Sequence, residues 1–212
     1  ARVTDAELPD VPDHYFTGVA AKDGERRRVT VRIADADVEV EVAPGVFSPG
    51  RVDPGTQVLL REVPAPPSSG NLLDLGCGWG PITLTLATEA PGATVYAVDI
   101  SERALDLTRR NAARLHLANV RTSLPDAVPD EVTFAALWSN PPIRVGKDVL
   151  HGMLAHWLPR LEPTSSDHDG AWLVVQKNLG ADSLARWIEA ELGMEVERMA
   201  SSKGFRVLRV TR

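Results

Sequence analysis

Three short stretches of this sequence combine residue types that serve chemistry better than packing: "LLDLGCGWG" (Leu72–Gly80), "TVYAVDI" (Thr94–Ile100) and "WSNPPI" (Trp138–Ile143). In the first, Gly76, Gly78 and Gly80 follow an apolar run carrying Asp74, and Pro81 opens the next apolar segment. Glycines so placed let the backbone turn sharply and approach a ligand above a strand end, beside a helix N-terminus. The spacing is G-x-G-x-G and not the G-x-G-x-x-G of nicotinamide dinucleotide sites. Asp99 closes the second stretch about 20 residues later, where a carboxylate can accept both hydroxyls of a ribose. An adenosine-containing cofactor is therefore expected. The plainer alternatives are a tight structural turn for the loop and a helix cap for Asp99, although Ser101 can already cap the helix that follows. Cys77 lies in the glycine loop with no evident base partner, so it reads as a small residue near the ligand and not as a nucleophile. The third stretch ends an apolar strand on Asn140 and stiffens the turn with Pro141 and Pro142, neither of which has an N–H to donate.

These stretches need a scaffold that gathers strand ends, and the flanking pattern supplies one. The Pro/Ser-rich "VPAPPSSG" (Val63–Gly70) reads as a linker between an N-terminal extension, residues 1–63, and a main domain, residues 70–212. In the extension, "RRVTVRI" and "DVEVEV" alternate apolar and polar residues about Ala34-Asp35-Ala36, which predicts a β-hairpin. A short helix is expected to begin near Asp53-Pro54. In the main domain strands and helices alternate. "NLLDL" precedes a helix "PITLTLATEA", and "TVYAVDI" precedes a Ser101-capped helix over Arg103–His116. A brief strand at Val120–Thr122, the strand "VTFAALW", a helix over Lys147–Trp157, the strand "AWLVVQK" and the amphipathic "SLARWIEAEL" follow. This predicts an α/β fold with an open, mostly parallel sheet and helices on both faces. The closing strands "MEVERMA" and "FRVLRV" are joined by Ser201–Gly204, too short for a crossover, so they pair antiparallel at one edge.

Composition bounds the function. Apolar residues make up 43% and charged residues 25%, with no apolar run long enough for a membrane span, so a soluble globular protein of the cytoplasm is expected. A single cysteine excludes an internal disulfide framework and a multi-cysteine zinc site. His14, His116, His151, His156 and His168 lack metal-ligand spacing, and no metal is expected. A net charge of −6 argues against gripping nucleic acid by overall electrostatics, but it leaves room for a local basic face. Arg26–Arg28, Arg109-Arg110 with Arg114, Arg144 with Lys147, and the Lys203–Arg212 series are candidates, each with a solvated surface as the plainer reading. Trp138, Trp157, Trp172 and Trp187 fall at apolar positions and read as packing residues.

The glycine loop, Asp99 and the closing strand pair together resemble the class I S-adenosylmethionine-dependent methyltransferases. That resemblance implies a Rossmann-like, seven-stranded sheet and S-adenosyl-L-methionine as cofactor, with S-adenosyl-L-homocysteine as product. "SNPPI" resembles the [DNS]-P-P-[FYW] motif of amino-methylating members, which act on exocyclic base amines or side-chain amides. By that resemblance the amide oxygen of Asn140 and the carbonyl of Pro141 accept hydrogen bonds from the target NH₂. The residue types suit the task. An amine conjugated to a ring is a poor nucleophile, and two acceptors on its N–H groups favour the pyramidal form and stabilise the positive charge that grows during attack. The prolines aim those acceptors before the substrate arrives.

"GVFSPGRVDPGTQVLL", "LLDLGCGWGPI", "WSNPPI" and "KGFRVLRV", in this order, resemble the catalytic half of RsmC-type ribosomal RNA guanine-N2 methyltransferases. The resemblance covers the chain from about Gly45 onward. It implies ribosomal RNA or the small ribosomal subunit as partner, with a monomer expected. It also implies cofactor contacts from Phe47, Thr56, Asp74, Gly76, Cys77, Gly78, Trp79, Gly80, Asp99, Ile100, Leu124, Pro125, Asp126 and Asn140. Asn140, Pro141, Pro142 and Ile143 are the expected catalytic residues, and Asp53, Arg144, Lys203 and Phe205 the expected substrate contacts. Gly55 is expected to lie beside them. This chain departs from the pattern at Ile143, where an aromatic usually stacks on the base, and at Ala135, near the end of the strand, where relatives often show Asp. A release-factor-type glutamine methyltransferase is the enzymatic alternative, since a side-chain amide presents the same NH₂. Against it stand the closing "KGFRVLRV" and the absence of a helical recognition domain in the front section. A non-catalytic cofactor-binding module is the third reading.

Overall fold

The computed structural model describes residues 19–212; His14 lies outside them. Strands β1 (Arg27–Ile33) and β2 (Ala36–Val42) form the expected hairpin. Its turn is tighter than the sequence suggests. Ala36 pairs with Ile33, and Ala34 and Asp35 both take positive φ (44° and 65°), the primed geometry that matches strand twist. Val31, Ile33, Val40 and Val42 face inward while Arg28, Thr30 and Arg32 face water. Helix α1 (Pro54–Glu62) starts as expected, with Asp53 as its N-cap and Pro54 in its first turn.

The main body holds β3 (Gly70–Leu75), α2 (Pro81–Glu89), β4 (Ala93–Val98), α3 (Glu102–Arg114), β5 (Val120–Ser123) and β6 (Ala136–Ser139). It continues with α4 (Lys147–Trp157), β7 (Gly170–Gln176), α5 (Ala181–Trp187), β8 (Glu195–Ser202) and β9 (Phe205–Thr211). The seven strands are ordered β5-β4-β3-β6-β7-β9-β8. All pairs are parallel except β7–β9 and β8–β9, as the short closing turn demands. The chain winds outward from β3 to β5, then returns to lay β6 on the other flank of β3. The crevice of an open α/β sheet lies at this reversal of winding, between β3 and β6.

Alternation along the central strands fills both faces. Leu73, Leu137 and Leu173 pack with Leu150, Leu154 and Trp157 of α4 and Leu184 of α5. Leu72, Trp138, Trp172 and Val174 pack on the other face with Val58 and Leu59 of α1 and Ile82 and Leu86 of α2. The hairpin's apolar side closes a third cluster with Trp79, Leu84 of α2 and Leu107 of α3. Trp138, Trp157 and Trp172 are thus core residues, and Trp187 is half-buried against the first cluster, stacked on His151.

Three details depart from expectation. β6 is shorter than "VTFAALW", because Phe134 makes only an isolated bridge to Leu161 before the regular ladder begins. Ala135 consequently sits at the beginning of the strand, not near its end, with its N–H on the Asn71 carbonyl, remote from the strand's working tip. The helix "SLARWIEAEL" is α-helical only to Trp187 and finishes as a π-turn over Ile188–Leu192, stopped by Gly193 in the left-handed region. Among the described residues no helix is long and apolar enough to cross a membrane, and no group of three or more His, Cys, Asp or Glu is placed to hold a metal.

Candidate active site

One pocket lies at the reversal of winding. It is lined by Phe47, Ser48, Asp53 and Thr56 from the α1 approach, Gly76–Trp79 with Pro81 and Ile82 from the glycine loop, and Asn140 from the end of β6. Eight of the residues singled out from the sequence therefore meet here. Ser48, Pro81 and Ile82 were not expected as site residues, although each lies within a quoted motif.

The glycine loop is folded upon its own donors. Gly76 and Cys77 donate N–H bonds to the Val98 carbonyl (2.8 and 3.1 Å), Gly80 donates to the Cys77 carbonyl (2.9 Å), and Gly78 donates to Asp99 Oδ2 (3.0 Å). Gly76, Gly78 and Gly80 all have positive φ, as this path requires. At the mouth of α2, Pro81 has no N–H and the Thr83 N–H goes to Asp74 Oδ2 (2.8 Å). Most donors that would grip a pyrophosphate are therefore spent. What remains is close backbone approach: a Cβ on Gly76 would meet nothing within 4 Å, so open space lies above it. The loop suits an adenosine ligand without phosphates.

The two acids divide the work. Asp99, mostly buried at the end of β4, accepts Gly78 N–H on one oxygen and Ser101 N–H on the other (2.9 Å), keeping a lone pair on each for a ligand hydroxyl. Desolvation raises its carboxyl, opposed by those backbone bonds. Ser101 caps α3 by accepting the Ala104 N–H, so Asp99 is not required for that cap. Asp74 lies underneath, with no exposure, and its Oδ2 also accepts the Thr83 hydroxyl (2.6 Å). Burial pushes its carboxyl up to about 7, against the pull of Thr83, and its Oδ1 has no partner among the described residues. Asp74 ties β3 to α2 beneath the ligand loop.

Cys77 is buried, with its sulfur against the Thr108 hydroxyl (3.5 Å), and burial raises the thiol well above its ordinary value. A buried neutral thiol packs and does not attack. Trp79 is 1% exposed, and its indole N–H donates to the Ser48 carbonyl (3.2 Å), so it pins the Phe47–Ser48 loop from the hairpin core. Ile100 and Leu124, just past the ends of β4 and β5, are 59% and 38% exposed, and Phe47 in the pocket wall is 49% exposed. Pro125 and Asp126 follow Leu124 in a 3-10 turn, with Asp126 exposed.

On the other flank, Asn140 is held by groups far away in sequence. Its Nδ2 donates to Asp53 Oδ2 (2.9 Å) and to Thr56 Oγ1 (3.1 Å). Asp53 Oδ2 also accepts the Gly55 and Thr56 N–H groups (2.8 and 3.3 Å), so the helix cap and the amide clamp are one carboxylate. Both Nδ2 hydrogens are spent, which fixes the amide orientation and leaves Oδ1 as the group with acceptor capacity to offer. Asp53 and Thr56 therefore act on Asn140 directly. Ser139, next to it, fastens β6 to β3 by donating to the Leu75 carbonyl (2.6 Å).

The Pro-Pro turn is tight. The Ile143 N–H donates to the Pro141 carbonyl (2.8 Å) across Pro142 at φ −74°, ψ 78°, an inverse γ-turn whose φ proline favours. One lone pair of the Pro141 carbonyl is thus engaged and one remains. Ile143 is half-buried and packs on the α4-side core. Phe205, half-buried at the start of β9, stands beside Asn140: a Cβ on Gly55 would stand 3.0 Å from Phe205 Cε1, 3.3 Å from Asn140 Nδ2 and 2.9 Å from Asp53 Oδ2. Arg144 and Lys203 are exposed on neighbouring loops and do not line the pocket.

A seven-stranded sheet with an antiparallel closing pair, and a phosphate-free adenosine crevice at the reversal of winding, define the class I S-adenosylmethionine-dependent methyltransferases. Residues 37–209 match the methyltransferase small domain family, and the chain belongs to it. It is 32% identical over 200 residues to the uncharacterised protein YbxB of Bacillus subtilis, covering 93% of this chain and 97% of that one. Over 195 residues it is 32% identical to ribosomal RNA small subunit methyltransferase C of Stutzerimonas stutzeri, covering 90% of this chain and 56% of the relative. Its fold matches the RsmC 16S rRNA N2 methyltransferase of T. thermophilus, solved with AdoMet and guanosine, at a TM-score of 0.71 and 25% identity. That match covers 88% of this chain and 50% of the solved one, so the chain spans about half the length of these ribosomal RNA enzymes.

Proposed function

We propose that this methyltransferase methylates the exocyclic N2 amine of a guanine in small-subunit ribosomal RNA. The observation that carries the reading is the clamp on Asn140: with Nδ2 held by Asp53 and Thr56, Oδ1 is aimed before any substrate arrives. The pocket residues fit S-adenosylmethionine, since the glycine loop spends its donors internally, Asp99 keeps acceptor capacity, and Ile100, Leu124 and Phe47 offer apolar cover. The cofactor supplies an electrophilic methyl group on a sulfonium. Asn140 Oδ1 and the free lone pair of the Pro141 carbonyl accept the two hydrogens of the target NH₂, stabilising the charge that develops on nitrogen. No strong base is required, because the nitrogen proton becomes acidic once the new bond forms. Phe205 packs beside that amine, and Arg144 and Lys203 contact the substrate from the neighbouring loops outside the pocket. The extension, residues 1–63, serves the domain at 70–212 by delivering Phe47, Asp53 and Thr56 to the pocket.

The test is methyl transfer from labelled S-adenosylmethionine to small ribosomal subunits lacking the modification, with the product nucleosides resolved by mass spectrometry. N2-methylguanosine is the expected product. Label on a release-factor glutamine would replace this reading by the protein-methylating alternative, and no cofactor binding in calorimetry would end both.

A further inference from the structure

The sequence contains four lysines, and three of them, Lys147, Lys177 and Lys203, fall on one part of the surface together with Arg144. Arg144 and Lys147 follow the Asn140 turn at the carboxyl end of β6, Lys177 follows β7, and Lys203 lies in the turn leading into β9. The fold holds these positions together. β6 and β7 are parallel neighbours, Gln176 pairs with Phe205, and the Lys177 N–H donates to the Gly204 carbonyl (2.8 Å). All four residues are exposed, and among the described residues none forms an ion pair.

Many cations elsewhere are paired, while Lys22, Arg27, Arg51, Arg121, Arg186 and Arg212 are scattered over other parts of the surface, also exposed and without an ion pair among the described residues. Arg28 and Arg114 share Glu39, Arg109 and Arg110 share Asp106, and Arg32 faces Asp35 and Asp37. Asp182, the carboxylate next along the chain after Lys177, is taken by Arg198 and Arg206. Asp148, in the first turn of α4, and Glu191, which with Lys147 acts on His151, are exposed acids near the group. Beyond the crevice the same sheet edge carries acids instead, Asp99 and Glu102 after β4 and Asp126 after β5. A chain of net charge −6 thus groups four unpaired cations on one side of the Asn140 pocket.

We propose that Arg144, Lys147, Lys177 and Lys203 form the surface on which the RNA phosphate backbone docks, delivering a nucleotide to Asn140 from the β6–β7–β9 side. This rests on the RNA reading above. Exposed ammonium groups without protein partners are free to displace the counterions of a phosphate chain, and each contact so made adds to the salt dependence of binding. Three of the four are lysines, point charges that suit phosphates without a fixed geometry. They carry affinity and orientation, leaving discrimination of the base to the pocket.

The experiment compares the protein with its K147Q/K177Q/K203Q variant, measuring binding to an in vitro transcribed small-subunit ribosomal RNA across a salt series. S-adenosylmethionine binding and thermal unfolding serve as controls. The expected result is about tenfold weaker RNA binding at low salt and a log–log salt slope reduced by about 2, with cofactor affinity unchanged. A second variant, R28Q/R32Q/R109Q, removes as many charges from the ion-paired face and should leave the slope in place. Equal slopes for the protein and K147Q/K177Q/K203Q, or an equal loss in both variants, overturn the docking surface while subunit methylation by the unaltered protein still stands. If the unaltered protein neither binds nor methylates RNA, the functional reading itself is what fails.

Discussion

At the β3–β4 side of the crevice the loops turn inward: the glycine loop bonds to Val98, Asp99 and itself, and Asp74 is sealed against Thr83. At the β6 side the proposed acceptor is Asn140, and what holds it comes from Asp53 and Thr56, outside the sheet altogether. The first region is assembled from two consecutive strand–loop units, β3 and β4, and fixed largely by the loop's backbone donors. The second depends on a side-chain clamp spanning 87 residues. A cofactor common to many reactions calls for a cradle of fixed shape, whereas the acceptor proposed for the target amine needs only its orientation set. The two sides should therefore fail differently: changes beside β3–β4 alter stability and cofactor affinity, and changes at the clamp alter turnover.

The largest effect expected belongs to Asp74. Its carboxyl stands at about 7 in the folded protein against 3.8 for the ordinary value, so the folded state holds its proton where the unfolded chain has lost it. The sign follows: this contribution is full below about pH 4, declines as pH rises towards 7, and is flat above. About 4 kcal/mol of stability is lost across that window. Denaturant titrations of the protein and Asp74→Asn at pH 5 and pH 8 should show the unaltered protein losing more stability between them; parallel losses would mean that Asp74 is not sealed as described.

Next in size is Asp99→Ala, which removes two charge-assisted acceptors and should weaken S-adenosylmethionine binding about 100-fold by calorimetry. At saturating cofactor its turnover should remain within a few-fold of the original. A variant that kept its cofactor affinity but lost turnover would exchange the roles of the two sides. Asp53→Ala should give the smaller and opposite pattern. Its turnover should fall about tenfold through a misoriented Asn140, with cofactor affinity unaltered, and the lost cap should cost about 1 kcal/mol of stability.

The same contrast explains what the sequence made legible. The glycine loop, Asp99, the Asn140 turn and the closing strand pair are local patterns: the loop and Asn140 line one pocket, Asp99 accepts from Gly78 in that loop, and the closing strands pair antiparallel. The clamp is not local. Asp53 could be expected near the pocket, but that one of its oxygens serves both the α1 cap and the Asn140 amide emerges only when α1 is laid against β6. Nor does spacing reveal that the Pro141 carbonyl already accepts the Ile143 N–H, or that Ile143 packs on the core while Phe205 comes up beside Asn140. Such facts belong to chain ends brought together by the return from β5 to β6. The unpaired lysines were partly visible: Lys147 and Lys203 stood among basic clusters, but Lys177 gains meaning only when β7 is seen to end beside Gly204.

The central claim is that the amide oxygen of Asn140, aimed by Asp53 and Thr56, accepts a hydrogen of the target amine during transfer. Single-turnover methylation of small ribosomal subunits by Asn140→Ala, with the dissociation constant for S-adenosylmethionine measured on the same preparation, tests it most directly. The account predicts a rate lowered by about 100-fold or more with cofactor affinity within about threefold of the original. A variant that binds the cofactor and transfers methyl at an undiminished rate would contradict it.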